Sequence, residues 1–278
     1  MLCISDYLVD IPVGKRLDAE LLLAHVLKIS RESVFAYPEK KLSTDEMNDF
    51  QAYWQRVESG EPTAYLLGKQ EFFGLNFIVD SRVLIPRPET EHLVETIIEL
   101  ASGIEAPRIL DVGTGCGAIA LSLAKTLPRA SIWASDVSSD AIDVARLNAA
   151  ALDLDHVDLK VSNLLSDLDC DAMKLDILVA NLPYIGVDRF HFVEKAVEDN
   201  EPHVALFGGT DGLRLYVELF EQIKALDALP RWILGEFGSL QRELLETIIY
   251  DCFPESVVSF HKDLAGLDRF FTLELNHA

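Results

Sequence analysis

Apolar positions along the chain follow two periods, and the change between them divides it. Up to about residue 60 they recur at helical spacing. Asp18-Ala19-Glu20-Leu21-Leu22-Leu23-Ala24-His25-Val26-Leu27 is rich in helix formers, with Asp18 placed to cap its start. Ser43 and Glu46 stand at capping-box spacing. The helix they open carries Phe50, Tyr53, Trp54 and Val57 on one face and ends near Gly60, before Pro62. That aromatic stripe is expected to be core, not a surface for stacking bases. Residues Glu71 to Val79 predict a short β-hairpin with Gly74 and Asn76 near its turn. The Pro-punctuated run Val83 to Glu91 then enters a helix with acids in its first turn, where His92 is expected at the surface.

Beyond Pro107 short apolar runs alternate with helical stretches, the pattern of an α/β fold with a parallel sheet. Strands are expected at 108–111, 131–135, 157–161, 176–180 and 231–234. Helices are expected from 118 to about 127, 140–151, 213–226 and 240–250, and two closing strands near 257–260 and 269–275. The run Asp176-Ile177-Leu178-Val179-Ala180 is almost wholly apolar and branched, as suits a strand covered on both faces. Asn181-Leu182-Pro183-Tyr184 follows directly, and Pro183 must end the ladder because it has no N–H. An amide, a pre-proline carbonyl and an aromatic ring are thereby delivered to the sheet edge where open α/β sheets bind ligands.

Composition narrows the setting. A chain of 278 residues, 49% hydrophobic and 25% charged, fits a soluble globular protein with one large core and a smaller domain. No run approaches a membrane span, and the start Met1 to Asp6 lacks the basic and apolar parts of a signal peptide. Cys3, Cys116, Cys170 and Cys252 show no Cys-x-x-Cys spacing, so neither zinc nor a disulfide framework is expected, and a reducing cytoplasm is the expected location. The net charge of −22 is uneven: residues 1–88 hold 10 basic and 13 acidic residues, residues 89–278 hold 14 and 33. A C-terminal part that acidic repels phosphate backbones and favours a partner with a basic patch or a small molecule. Acid serving solubility alone is the bland alternative.

The chemistry centres on Asp111-Val112-Gly113-Thr114-Gly115-Cys116-Gly117, between a strand and a helix. Glycines let backbone approach a ligand where a Cβ would clash. Asp136 ends the next strand, where a carboxylate can accept both hydroxyls of a ribose. This pair predicts an adenine nucleoside without saying which. Read as Gly113-x-Gly115-x-x-Ala118 it also satisfies the dinucleotide fingerprint, so a nicotinamide dehydrogenase stays open. The Asn181–Tyr184 stretch separates the two. A planar nitrogen has a delocalised lone pair and attacks poorly. Two acceptors that hold its N–H groups aim the lone pair at a methyl group and favour the positively charged transition state. The Asn181 side-chain oxygen and the Leu182 carbonyl suit that task, and Tyr184 offers a face for a flat substrate. No Ser/His/Asp or metal constellation is visible, and none is needed, since the proton can leave after attack.

With these motifs placed, the chain resembles the class I S-adenosylmethionine-dependent methyltransferases. More narrowly, it resembles the protein-(glutamine-N5) methyltransferases that modify peptide-chain release factors in translation termination. The resemblance spans nearly the whole chain. It includes Leu84-Ile85-Pro86-Arg87-Pro88-Glu89-Thr90-Glu91, Glu201-Pro202, Ala205-Leu206-Phe207-Gly208-Gly209-Thr210-Asp211-Gly212-Leu213 and Lys262-Asp263-Leu264-Ala265-Gly266-Leu267-Asp268-Arg269, besides the glycine loop and Asn181–Tyr184. It implies a Rossmann-like, seven-stranded, mostly parallel sheet. It further implies a helical domain over 1–67 that docks the release factor, a hairpin linker over 68–88 and a catalytic domain over 89–278. Gly113, Thr114, Gly115, Cys116 and Gly117 would carry the methionine part of S-adenosyl-L-methionine, which leaves as S-adenosyl-L-homocysteine. Asp136 would hold the ribose, Asn163 and Leu164 would border the adenine, and Asn181 would also meet the cofactor. Asn181, Leu182, Pro183 and Tyr184 would hold and orient the glutamine amide of a Gly-Gly-Gln loop. A monomer that binds neither DNA nor membrane is expected. Two positions depart from the family: Leu182 stands where it usually has proline, and Asn163 where it often has aspartate. Leu182 keeps the carbonyl and, being before Pro183, an extended bias, but loses one ring's rigidity. Asn163 can still accept from an adenine amino group, without charge assistance. Ribosomal-protein glutamine methylation, adenine-N6 methylation of nucleic acid and a non-catalytic binding role are the alternatives. The acidic catalytic half counts against nucleic acid.

Overall fold

The computed structural model describes residues 3–275. The chain divides into two compact units, one running up to Lys69 and taking in Lys195–Asn200, the other made of Gln70–Glu194 and the chain from Glu201 onward. The first unit contains α1 (Ile4–Leu8), α2 (Arg16–Val26), α3 (Arg31–Ala36), α4 (Thr44–Glu58) and α5 (Thr63–Leu67). The capping box at α4 forms as its spacing predicts: Glu46 accepts the Ser43 N–H at 2.7 Å and Ser43 Oγ accepts the Glu46 N–H at 3.3 Å. The aromatic stripe is core. Phe50 and Val57 are buried with Leu22, Leu23 and Leu42, while Tyr53 and Trp54 pack against them half-buried. Asp18 is not the cap of α2, which starts two residues earlier after a turn over Val13–Lys15. From the first turn its carboxylate accepts the Thr63 hydroxyl at 2.7 Å, tying α2 to the start of α5.

The second unit opens with the hairpin β1 (Lys69–Phe72) and β2 (Leu75–Ile78), followed by α6 (Glu91–Ala101). Next come β3 (Arg108–Val112), α7 (Ala118–Thr126), β4 (Ser131–Asp136), α8 (Ser139–Ala151), β5 (Asp158–Val161), α9 (Cys170–Met173) and β6 (Ile177–Ala180). The short α10 (Lys195–Asn200) returns to the first unit, where Asn200 Nδ2 donates to the Gly60 carbonyl at 3.0 Å. The chain ends with α11 (Arg214–Lys224), β7 (Trp232–Glu236), α12 (Arg242–Cys252), β8 (Val257–Lys262) and β9 (Asp268–Glu274). The seven strands β3–β9 lie in the order β5-β4-β3-β6-β7-β9-β8. Pairing is parallel from β5 through β7 and antiparallel at β7–β9 and β8–β9. This is the mostly parallel sheet the class I resemblance implies.

Two features of this unit position the site. All four residues of β6 are buried. Its register against β3 is locked at the bottom by Asp176, whose carboxylate takes the Arg108 N–H at 2.8 Å and the guanidinium at 2.9 Å. Because β3 has β4 on one side and β6 on the other, strand order reverses there, and a crevice opens at the carboxyl ends. The hairpin, Lys69 apart, belongs to this unit. Phe72 and Phe77 are buried edge to face. Asn148, fully buried on α8, accepts the Ile78 N–H at 2.6 Å and donates to the Ile78 and Cys116 carbonyls at 3.0 and 2.9 Å. One amide thus joins the hairpin to the glycine loop. No helix among the described residues is long and apolar enough to cross a membrane.

Candidate active site

The carboxyl ends of β3, β4 and β6 enclose a cavity of about 340 Å³. Its first wall is the loop after β3. Gly113 and Gly115 lie in the left-handed region, at φ +76° and +56°, which keeps the turn tight without a Cβ penalty. The N–H groups of Gly113 and Thr114 both reach the Ser135 carbonyl, at 2.8 and 2.9 Å. Thr114 donates its hydroxyl to Asp111 at 2.6 Å, and the same carboxylate oxygen takes the Ala120 N–H at 3.2 Å. Asp111 is wholly buried beneath the loop, and burial pushes its carboxyl up to about 7. Cys116 also lines the cavity, but burial pushes its thiol up to about 12, so it is no nucleophile. Gly117 does not line the cavity: it starts α7 at φ +86° and lies close against Leu121.

Asp136 forms the second wall. One oxygen accepts the Gly115 N–H and the other the Ser138 N–H, both at 2.9 Å. Each oxygen keeps a further lone pair for a ligand. Burial is the main influence on this carboxyl and raises its pKa, with the backbone N–H bonds working the other way. Asn163 and Leu164, just past β5, border the same space, Leu164 buried and Asn163 exposed.

Asn181, Leu182 and Pro183 supply the third wall. Asn181 Nδ2 donates to Glu236 Oε2 at 3.0 Å and to Thr90 Oγ1 at 3.3 Å. A carboxylate can only accept, so the Asn181 amide turns its NH₂ to Glu236 and keeps Oδ1 for something else. Leu182 is 4% exposed and belongs to the core under the sheet. Its Cδ2 lies so close to Gly113 that a Cβ there would meet it at 3.1 Å. The leucine that departs from the family pattern therefore packs against the glycine loop, a role the sequence does not suggest. Tyr184 is not part of the cavity wall. Its hydroxyl donates to Glu236 Oε1 at 3.0 Å, and its carbonyl accepts Gln241 Nε2 at 2.7 Å. It braces the motif from behind.

Glu236, Gln241 and Asn148 are not singled out by the sequence, and Thr90 enters only within the Leu84–Glu91 stretch, without a role. Only Glu236 left a signal there, as the lone acid closing the apolar run Trp232-Ile233-Leu234-Gly235-Glu236, a strand that ends two residues later than expected. Among the described residues no cluster of three or more His, Cys, Asp or Glu side chains could hold a metal ion.

Known proteins place this arrangement. The PrmC N-terminal domain family matches residues 11–68 and the methyltransferase small domain family matches residues 88–200. A release factor glutamine methyltransferase of Koribacter versatilis is 41% identical over 91% of this chain and 89% of its own length. One of Coxiella burnetii is 39% identical over 96% and 94%. Among solved structures, the N-terminal domain of human METTL16 in complex with SAH matches 74% of this chain and 77% of its own at a TM-score of 0.53 and 18% identity, a likeness of fold. A ribosomal-protein methylase of Lactobacillus delbrueckii subsp. bulgaricus matches 72% and 84% at a TM-score of 0.50 and 21% identity, again a likeness of fold. With near-full-length relatives at this identity, the chain belongs to the release factor glutamine methyltransferase family.

Proposed function

We propose that this protein transfers a methyl group from S-adenosylmethionine to the side-chain N5 of the glutamine in the Gly-Gly-Gln loop of a peptide-chain release factor. One observation carries the reading: Glu236 and Thr90 occupy the NH₂ of Asn181, so the amide has only its oxygen left to offer a substrate at the cavity wall. An acceptor in that place suits an amide N–H. The Leu182 carbonyl is the second acceptor, held extended by Pro183. Together they orient the planar nitrogen toward its electrophile and favour the pyramidal, cationic form over the resonance-stabilised one.

The cavity residues fit the cofactor's chemistry. Left-handed glycines leave room for the methionine part, a half-buried carboxylate at Asp136 has lone pairs for a ribose diol, and Leu164 gives an apolar surface for a base. Bound there, S-adenosylmethionine supplies an electrophilic methyl on a sulfonium. The Asn181 oxygen and the Leu182 carbonyl would hold the glutamine nitrogen as it takes that methyl, the electron pair of the broken C–S bond would stay on sulfur, and the nitrogen's proton would pass to water. Buried and raised in pKa, Cys116 takes no part. The helical unit would dock the rest of the release factor, in a cytoplasmic monomer without direct DNA contact. The acidity beyond residue 88, 33 acidic against 14 basic residues, supports a basic protein surface over nucleic acid.

Asp136 gives a pH test of the cofactor site. Its ionised form accepts from the diol, and burial raises its pKa, so affinity is present above that pKa and lost as pH falls through it. S-adenosylmethionine binding by calorimetry should weaken toward acid at higher pH than an ordinary carboxylate would give. Asp136→Asn should weaken it about tenfold or more and flatten the pH dependence. An unchanged affinity would remove Asp136 from the site.

The function itself is tested with labelled S-adenosylmethionine and, in separate reactions, a release factor, its Gln→Ala loop variant, a ribosomal protein and adenine-containing DNA. Label is expected on the release factor and not on its variant. Label that survives the Gln→Ala change, or label on DNA alone, would sink the reading.

A further inference from the structure

We propose that Glu236 is a positioning residue for methyl transfer: its carboxylate at the end of β7, 3.0 Å from Asn181 Nδ2 and outside the cavity wall, sets which end of the Asn181 amide meets the substrate. The inference deepens the function proposed above and rests on it.

The two ends of an asparagine amide have nearly the same shape and opposite hydrogen-bonding sense. Packing cannot tell them apart; only a partner with a fixed sense can. Thr90 cannot choose, because a hydroxyl both donates and accepts. Glu236 can. Its Oε2 accepts the Thr90 hydroxyl at 2.6 Å and the Asn181 amide at 3.0 Å, and its Oε1 accepts the Tyr184 hydroxyl at 3.0 Å. Thr90 precedes α6, Asn181 follows β6 and Tyr184 lies in the loop beyond, so one carboxylate gathers three segments. A flipped Asn181 would set its oxygen against this anion, and buried electrostatics make that arrangement expensive.

The burial argues the same way. Glu236 is 2% exposed, in a strand buried along its whole length, with Phe270 as its register partner on β9 and Phe237 following it. A buried carboxylate is a poor source of stability when an apolar side chain would pack there. Its three donors rigidify Asn181 and Tyr184, and the charge is explained by the orientation it imposes. Other charged groups face it from β9, where Arg269 is itself held by Asp263 at 2.9 Å, and from Glu89 in the turn before α6. Burial raises the Glu236 carboxyl, while Thr90, Tyr184 and Arg269 work against the rise. A limb of lost turnover is therefore expected as pH falls through a value above the ordinary carboxylate range.

The test compares wild type, Glu236→Gln and Glu236→Asp in methyl transfer to a release factor. Rates are read from about pH 5 to about pH 9, with S-adenosylmethionine affinity by calorimetry and melting temperature alongside. A glutamine must turn its own NH₂ toward some of the three donors, releasing Asn181 to flip. Its kcat should fall about 100-fold and lose the acid limb. KM for the release factor, cofactor affinity and melting temperature should stay within about twofold or a few degrees of wild type. Glu236→Asp keeps an ionised acceptor, so it should keep the acid limb and recover about a tenth of the wild-type rate. A Glu236→Gln enzyme within about threefold of wild-type kcat overturns the inference, as does a rate loss matched by lost cofactor affinity. If Glu236→Gln does not fold, wild type and Glu236→Asp decide it: a flat kcat–pH profile in either overturns it. If wild type methylates another acceptor instead, the function reading falls, and the same comparison on that acceptor still decides the role of Glu236.

Discussion

Replacing Asn181 by alanine should lower methyl transfer about 1000-fold while leaving S-adenosylmethionine binding measurable by calorimetry. In the proposed site the amide oxygen would be one of two acceptors that pyramidalise the substrate nitrogen, and alanine offers none. The change also strips Glu236 Oε2 of one of its two donors, leaving Thr90 alone at 2.6 Å. The other residues proposed to hold the cofactor, on the Gly113 loop and at Asp136, lie at the ends of other strands, so affinity should fall far less than turnover. The isosteric Asn181→Asp is no milder. It would bring a second carboxylate within 3.0 Å of Glu236, and the pair would have to share a proton to avoid repulsion. Turnover near the wild-type rate in Asn181→Ala would show that the amide is not held there.

The second large effect is expected at Gly208→Ala, a residue outside the cavity. A Cβ on Gly208 would meet the Pro183 carbonyl oxygen at 2.2 Å and the Gly212 carbonyl oxygen at 2.4 Å. Both are backbone atoms, so no side chain can swing aside. The segment is also pinned in register: Ile185 donates to the Leu206 carbonyl at 3.0 Å and Gly208 donates to the Ile185 carbonyl at 2.9 Å. Relief must come from moving the chain that carries Pro183. A loss of about 3 kcal/mol or more is expected, with melting lowered by roughly 10 °C and kcat reduced in the protein that stays folded. Gly103→Ala, where a Cβ meets nothing within 4 Å, is the control and should leave both unchanged. Equal behaviour of the two variants would show that the Gly208 loop and the Pro183 segment are not locked together.

The elements were readable from the sequence wherever burial is periodic. The β6 run, the apolar strands beside it and the Phe50–Val57 stripe all announce themselves because one neighbour in sequence predicts one neighbour in space. The cavity walls were readable for a related reason: glycines in the left-handed region and a strand-ending aspartate act through local backbone geometry. What escaped is what depends on pairing across distance. Asn148 and Ile78 are 70 residues apart, and Glu236 and Thr90 are 146 apart, so nothing local marks them as partners. Leu182 looked like the loss of a proline ring because only its carbonyl was considered. Its side chain, packed on Gly113, was invisible until β3 and β6 stood side by side. For Tyr184 only the ring face was legible, and the bond from its hydroxyl to Glu236, 52 residues away, left no local mark.

The return of Lys195–Asn200 to the helical unit bears on how such proteins can be recombined. The polypeptide leaves one unit for the other at three junctions, after Lys69, after Glu194 and after Asn200. A single crossover at the first junction would graft a foreign helical unit onto a native return segment, with Asn200 facing a changed Gly60 loop. A working chimera between relatives therefore requires two exchanges made together, and a gene cut once in the middle inherits half of a pairing.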